Sequence, residues 1–267
     1  MRATPLFLMM LWLLSWKTAP AQDTLTIMSY NIYHAEQAYD EGKSSLQDIA
    51  DLINREQPDF VALQEVDEMT ERLAEIHNGK PFSLTDSLAE LTRMKGYFVK
   101  TIAYRGGGYG IGLLSKRSLT PQKVELPNPQ EGEVRAFLFA EAQTASGQPV
   151  IFGGTHLDHQ FPENKTAQVQ AISGYFSNRN IPIILGGDFN FTPDSEQYAQ
   201  MQQQWTDAAT LFSGEPEPTI PADDPGRRID YFFLSDSGRW EVVDLRTIKK
   251  TYSDHVPVVA TVVLHPE

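Results

Sequence analysis

About ten short runs of apolar, β-branched and aromatic residues recur along the chain between turn-forming residues, more strand than one open sheet usually holds. The runs are Leu25 to Tyr30, Phe60 to Gln64, Tyr97 to Ala103, Gly110 to Leu114, Val134 to Ala142, Pro149 to Thr155, Ile181 to Leu185, Ile229 to Leu234, Trp240 to Thr247 and Val256 to Leu264. Helical periodicity covers Leu46 to Glu56, Ser83 to Met94, Lys165 to Ser177 and Ser195 to Gln203; in the first, Leu46, Ile49, Ala50 and Ile53 share one face. Helices separate some strands but not others, and Val134 to Glu141 has the character of an antiparallel meander, which argues against a purely parallel sheet. The expectation is an α+β fold of two packed mixed sheets flanked by helices.

Polar residues gather where these strands end. The run Ile183-Ile184-Leu185 leads into Gly186-Gly187 and then to Asp188 and Asn190, which alternate onto one face of an extended segment. The glycines read as unobstructed room for a ligand, and a carboxylate that takes a proton from water beside an orienting amide suits hydrolysis. Asn31 follows Ile27 to Tyr30, Glu65 follows Phe60 to Gln64, and His156 and Asp158 follow Val150 to Thr155. Asp230 enters the apolar run Ile229 to Leu234, where an unpaired carboxylate is costly and calls for a partner, and Asp254-His255 precedes the last strand. Each has a structural alternative: a turn at Asn31, a helix cap at Glu65, an Asx turn from Asp188 to Asn190. Strand ends are where layered α/β folds bind ligands, so the repetition points to one pocket.

The N-terminal stretch has Arg2, an apolar run from Leu6 to Trp16 and then Ala19-Pro20-Ala21, the pattern of a cleaved export signal over residues 1–21. No other segment reads as a membrane span. Residues 22–267 hold no linker, repeat or low-complexity tract, so one domain is expected. The absence of cysteine excludes disulfides, thiolate metal ligands and an acylated N-terminal cysteine, and it agrees with a secreted or periplasmic bacterial protein. The net charge is −13, and losing Arg2 and Lys17 with the signal takes it to −15, which disfavours nonspecific binding to nucleic acid.

Tyr30-Asn31-Ile32, Leu63-Gln64-Glu65-Val66, Gly154-Thr155-His156-Leu157-Asp158, Gly187-Asp188-Phe189-Asn190, Arg228-Ile229-Asp230-Tyr231 and Ser253-Asp254-His255-Val256-Pro257 occur in the order of motifs seen in the endonuclease/exonuclease/phosphatase superfamily, and the chain resembles that group along residues 22–267. The resemblance implies a DNase I-like four-layer α/β/β/α sandwich and metal-dependent phosphoester hydrolysis. Carried over residue by residue, Glu65 looks like the principal metal ligand, assisted by Asn31, with Asp254 beside the ion. Asp188 resembles the residue that handles the attacking water, Asn190 the one that orients the phosphate, and His255, partnered by Asp230, and His156 the phosphate-contacting histidines. An all-oxygen donor set suits one or two Mg2+ or Mn2+ ions.

The superfamily cleaves DNA, RNA, phosphoinositides, sphingomyelin and nucleotides, so the substrate stays open on motifs alone. The acidic charge favours a small or lipid-linked phosphoester acted on by a monomer, with a DNase I-like nuclease as the rival reading. A sphingomyelinase-like phosphodiesterase and a non-catalytic binding module on the same fold are further alternatives. Asp158, Arg228 and the glycine-rich loop Tyr104 to Gly110, with Arg105 and Tyr109, are candidate substrate contacts.

Overall fold

The computed structural model describes residues 22–77, 79–235 and 237–266; the expected export signal at residues 1–21 lies outside the described residues. Along the chain run β1 (Asp23–Asn31), α1 (Leu46–Glu56), β2 (Phe60–Glu68), α2 (Glu71–Ile76), α3 (Leu84–Thr92), β3 (Lys95–Tyr104) and β4 (Gly107–Ser115). The second half has β5 (Gln122–Glu125), β6 (Ala136–Gln143), β7 (Pro149–His156), α4 (Pro162–Phe176), β8 (Ile183–Asp188), α5 (Glu196–Met201), β9 (Thr206–Asp207) and α6 (Ala208–Leu211). It closes with β10 (Asp230–Leu234), β11 (Trp240–Thr247) and β12 (Val258–Leu264).

Two six-stranded sheets form, in the orders β11-β12-β1-β2-β4-β3 and β5-β6-β7-β8-β10-β9. Each has one parallel pair at its centre, β1 with β2 and β7 with β8, flanked by antiparallel neighbours. The parallel pairs need a crossover, and α1 and α4 supply it. Both faces of the central strands are covered, which is why they read as continuous apolar runs. In β1, Ile27 faces the opposing sheet with Phe152, Ile184 and Phe232, while Met28 packs on the outer side with Ile49 and Ile53 of α1 and Leu88 of α3. In β8, Ile184 faces inward and Leu185 outward, against Val169 and Ile172 of α4 and Met201 of α5. The result is the expected helix/sheet/sheet/helix sandwich, held by three apolar layers.

Local signals explain the boundaries. Ser83 and Ser195 cap α3 and α5 by accepting from the amides of Asp86 and Tyr198 at 3.0 and 3.1 Å. The helix expected from Lys165 begins earlier, because Pro162 occupies its first turn and Asp158 captures the amides of Gln160 and Phe161, each at 2.7 Å. Among the described residues, no helix is long and apolar enough to cross a membrane.

The glycines before Asp188 have a different purpose from the one their position suggests. A Cβ on Gly186 would stand 2.8 Å from the Phe232 ring and 3.4 Å from Ser29 Cβ, and one on Gly187 would stand 2.3 Å from the Thr155 carbonyl oxygen. On β7, a Cβ on Gly154 would come within 3.0 Å of Ala62 Cβ. These glycines serve close packing of strands and sheets rather than ligand entry. Cα atoms of β1 and β8, and of β2 and β7, accordingly approach within 8 Å, closer than the roughly 10 Å of ordinary stacked sheets.

Candidate active site

The four central strands deliver polar side chains at one end of the sandwich. Asn31 closes β1, Glu65 lies near the end of β2, and His156 and Asp188 close β7 and β8. Asp188 is register-paired with His156 on one side and with Asp230, the first residue of β10, on the other. Side chains opposite one another in a ladder share a face, so these three groups are brought together by strand pairing alone. His255 arrives from the segment leading into β12, in the other sheet.

Glu65 depends on an irregularity. The pairing of β2 with β4 shifts register between Leu63 and Val66, and Glu65 takes a left-handed φ of 56° within that bulge. Such a bulge re-aims a side chain out of the pleat's alternation, and here it sends the carboxylate to Asn31. Asn31 Nδ2 donates to Glu65 Oε1 at 3.1 Å and to Asp188 Oδ2 at 3.2 Å, so one amide joins the two sheets. Its Oδ1 accepts from the Tyr33 amide at 3.2 Å, and its carbonyl accepts from Ser253 Oγ at 2.7 Å. Ser253 Oγ also lies 3.2 Å from Asp254 Oδ1, which puts Asp254 beside this group.

On the other side, His255 Nδ1 and Asp230 Oδ2 are hydrogen-bonded at 2.8 Å, and His255 Nε2 lies 3.6 Å from Asp188 Oδ2. His156 Nε2 approaches the same Asp188 oxygen at 3.4 Å. The Asn190 amide donates to Asp188 Oδ1 at 2.9 Å, closing the Asx turn, while Asn190 Nδ2 donates to the Leu157 carbonyl at 3.1 Å.

Burial and charge pull these groups apart in acidity. Burial raises the Asp188 carboxyl to about 7 despite the favourable charge of His255, and the Asp230 charge adds to the rise. Burial opposes the charged form of His255, yet the carboxylates of Asp230 and Asp188 prevail and push it up to about 10. His156 is held well below the usual histidine range by burial and then by the neighbouring Arg135 charge. Glu65 is raised by burial, which the Asn31 bond offsets only in part, and the nearby Asp254 charge adds to the rise.

A cation would relieve that strain, and the donors around it are oxygens. Glu65 and Asp254 therefore fit a hard divalent ion, and Asn31, whose Nδ2 faces Glu65 and whose Oδ1 accepts from the Tyr33 amide, would join them as a ligand with its amide turned over. Ligand atoms of Asp188, Asp230 and His255 also lie within 4.8 Å of one another. In that set Nδ1 of His255 is already bound to Asp230, which suits proton handling better than metal ligation.

The candidate substrate contacts are placed less uniformly. Asp158 Oδ1 takes the two amides at the head of α4 and Oδ2 accepts from Asn164 Nδ2 at 3.0 Å, so its carboxylate is occupied in folding the loop. Arg228 binds Asp207 Oδ2 at 2.7 Å and lies 4.6 Å over the Tyr231 ring, and Arg105 is on the surface, 2.5 Å from Glu75. Tyr109 stays near the centre: it pairs with Asp67 across the ladder, and burial followed by the Glu65 charge raises its phenol.

Two further residues belong here. Arg135 is only 3% exposed, contacts Glu133 Oε1 at 3.0 Å and His159 Nδ1 at 3.2 Å, and leaves its Nε without a partner among the described residues. A cation opening an apolar strand run is the same signal that singles out Asp230, so Arg135 was legible. Thr219, wholly buried behind Asp230, had no such signal.

Solved structures share the architecture at low identity. A functionally unknown conserved protein from Enterococcus faecalis V583 aligns at 20% identity over 90% of this chain and 100% of its own, with a TM-score of 0.75. The mannosyl-6-phosphatase of Bacteroides thetaiotaomicron aligns at 18% identity, 90% and 100% coverage and 0.67, and the human Nocturnin catalytic domain with bound sulfate at 19%, 92% and 99%, and 0.68. No curated protein matches the chain. The sequence model of the Endonuclease/Exonuclease/phosphatase family matches residues 28–255, a span that begins in β1 and ends at His255, and the chain belongs to this family of DNase I-like phosphohydrolases.

Proposed function

We propose that the protein is an exported, monomeric, metal-dependent hydrolase of small or lipid-linked phosphoesters, acting outside the cytoplasm. The observation that carries this reading is the continuous array Asp230, His255, Asp188, Asn31 and Glu65, in which a histidine biased to its charged form and a carboxylate of raised pKa face one another beside an all-oxygen donor set.

Asp188 accepts the proton of the attacking water, and its carboxylate is aimed by the Asn190 amide at one oxygen and by Asn31 at the other. As the water oxygen bonds to phosphorus, negative charge grows on the phosphoryl oxygens and the bond to the alcohol oxygen breaks, its electron pair departing with that oxygen, which takes a proton from solvent. His255 donates to that charge from Nε2, with Nδ1 anchored on Asp230, so no reorganisation is needed at the moment of reaction. Glu65 and Asp254, with Asn31 turned to present its amide oxygen, would hold Mg2+ or Mn2+, which would supply Lewis-acid polarisation of a phosphoryl oxygen.

The −13 net charge supports a compact substrate over a long polyanion, and the mannosyl-6-phosphatase likeness supports a phosphomonoester. The test is a metal-supplemented screen of phosphomonoesters, phosphodiesters, phospholipids and plasmid DNA. EDTA-sensitive phosphate release from small monoesters is expected. Nicked plasmid without such release overturns the phosphatase reading in favour of a nuclease.

A further inference from the structure

The Asp230–His255 pair spans two segments far apart in sequence, and one residue is bonded to the backbone of both. The Thr219 carbonyl accepts from the Val256 amide at 2.9 Å, immediately after His255. Its hydroxyl accepts from the amides of Ile229 and Asp230 at 3.2 and 3.4 Å. Three residues on, the Ala222 amide donates to the Asp254 carbonyl at 2.8 Å, so residues 219–222 lie alongside 254–256 and bracket His255 from both sides. The outer end of this strap is pinned by Tyr39, whose hydroxyl donates to Asp223 Oδ1 at 2.8 Å and accepts from the Asp223 amide at 3.3 Å.

The carboxylate of Asp230 supplies a second observation. Its Oδ2 is committed to His255, but the buried Oδ1 has no partner among the described residues. A buried carboxylate oxygen left bare is expensive, so a donor is called for. The Thr219 hydroxyl, having accepted amides, still carries a proton to give. Thr219 and Asp230 both line a cavity of about 20 Å3, with Asp207, Arg228 and Thr247 on its other walls. That volume admits one water molecule with several polar partners, enough to carry a hydrogen bond between the hydroxyl and Oδ1.

We propose that Thr219 is a positioning residue that holds both backbones of the Asp230–His255 pair, and through the cavity the second oxygen of Asp230, so that His255 Nε2 points at the substrate phosphate. This rests on the hydrolytic reading of the site. Thr219 touches neither substrate nor metal; it acts through the direction of one imidazole, and small errors in such a direction cost a large share of the rate.

The test compares Thr219→Val, which keeps the shape and removes the hydroxyl, with Thr219→Ser, which keeps it. The substrate is 4-nitrophenyl phosphate, and the second readout is the low-field proton resonance of the His255 Nδ1–H, assigned by its loss in His255→Ala. Thr219→Val is expected to lower kcat by about 10- to 100-fold with little change in KM, and to shift or broaden the resonance. Thr219→Ser should restore both. A folded Thr219→Val protein with wild-type kcat and an unchanged resonance overturns the proposal. If that variant does not fold, Tyr39→Phe decides: it cuts the outer anchor at the surface and should lower kcat about 2- to 10-fold, and an unchanged kcat and resonance overturn the proposal equally. Full turnover by His255→Ala would instead remove the functional reading, while the resonance still judges Thr219.

Discussion

Asp230 holds His255 through a 2.8 Å bond to Nδ1, which leaves Nε2 as the ring nitrogen facing Asp188. Replacing the carboxylate with an amide keeps the shape but removes the charge that favours a protonated ring. Asp230→Asn should lower kcat by about 10²- to 10⁴-fold, with circular dichroism and melting close to wild type. A loss below threefold in steady-state assays would detach Asp230 from the reaction.

Asp188 predicts a conflict between stability and activity. Its folded pKa is raised to about 7, above the roughly 3.9 of an unfolded aspartate, so the stability tied to its proton is present below that lower value and lost as pH rises through about 7. Asp188→Asn, neutral at every pH, should therefore melt higher than the wild type at pH 8 in EDTA, with the difference shrinking towards pH 5, while turnover disappears. Equal melting at both pH values would count against the assigned burial penalty.

Asp23 behaves in the opposite sense. Its buried carboxylate accepts from Thr144 Oγ1, Ser146 N and Oγ, and Gln148 Nε2, tying β1 to the β6–β7 turn. Burial works against its charge, but these bonds prevail and lower its pKa. The stabilisation is present above the unfolded value of about 3.9 and lost as pH falls through the lower folded one. Asp23→Ala should cost about 1–3 kcal/mol in urea unfolding at pH 7, and less at pH 3.

Metal addition should stabilise the fold as well as start catalysis. At a hundredfold excess over Kd, Mg2+ or Mn2+ is expected to add about 2.7 kcal/mol, read as a rise in Tm that EDTA reverses. Glu65→Gln should abolish both the rise and the activity. A Glu65→Gln protein that still responds to metal would move the ion elsewhere.

Arg135 should bind anion. A buried guanidinium whose Nε has no partner among the described residues can offer a fork to an oxyanion, and a charge-assisted bond of that kind is worth about 1.5–3 kcal/mol. Arg135→Gln should weaken competitive inhibition by inorganic phosphate at least about tenfold, as measured by Ki.

The layers were legible because the central strands are apolar on both faces and the helices on one, and Asn31, His156, Asp188 and Asp230 stood out as polar groups at strand ends. What stayed hidden has two causes. Nothing in Leu63 to Val66 advertises a bulge, since a left-handed Glu65 lacks the glycine that usually marks one. Arg228 looked available to a substrate because its partner, Asp207, sits on the two-residue strand β9, too short for periodicity to reveal. The short edge strand β5 and the helices α2 and α6 were missed for the same reason.

The close contact at Gly154 sets a gauge for the site. Ala62, 3.0 Å from where a Cβ on Gly154 would stand, lies just upstream of Glu65, and Gly154 lies just upstream of His156. The span from Glu65 to His156 is thus set where bare backbone meets one of the smallest side chains. A single added methyl group there would push the two apart without altering any residue proposed to perform the chemistry.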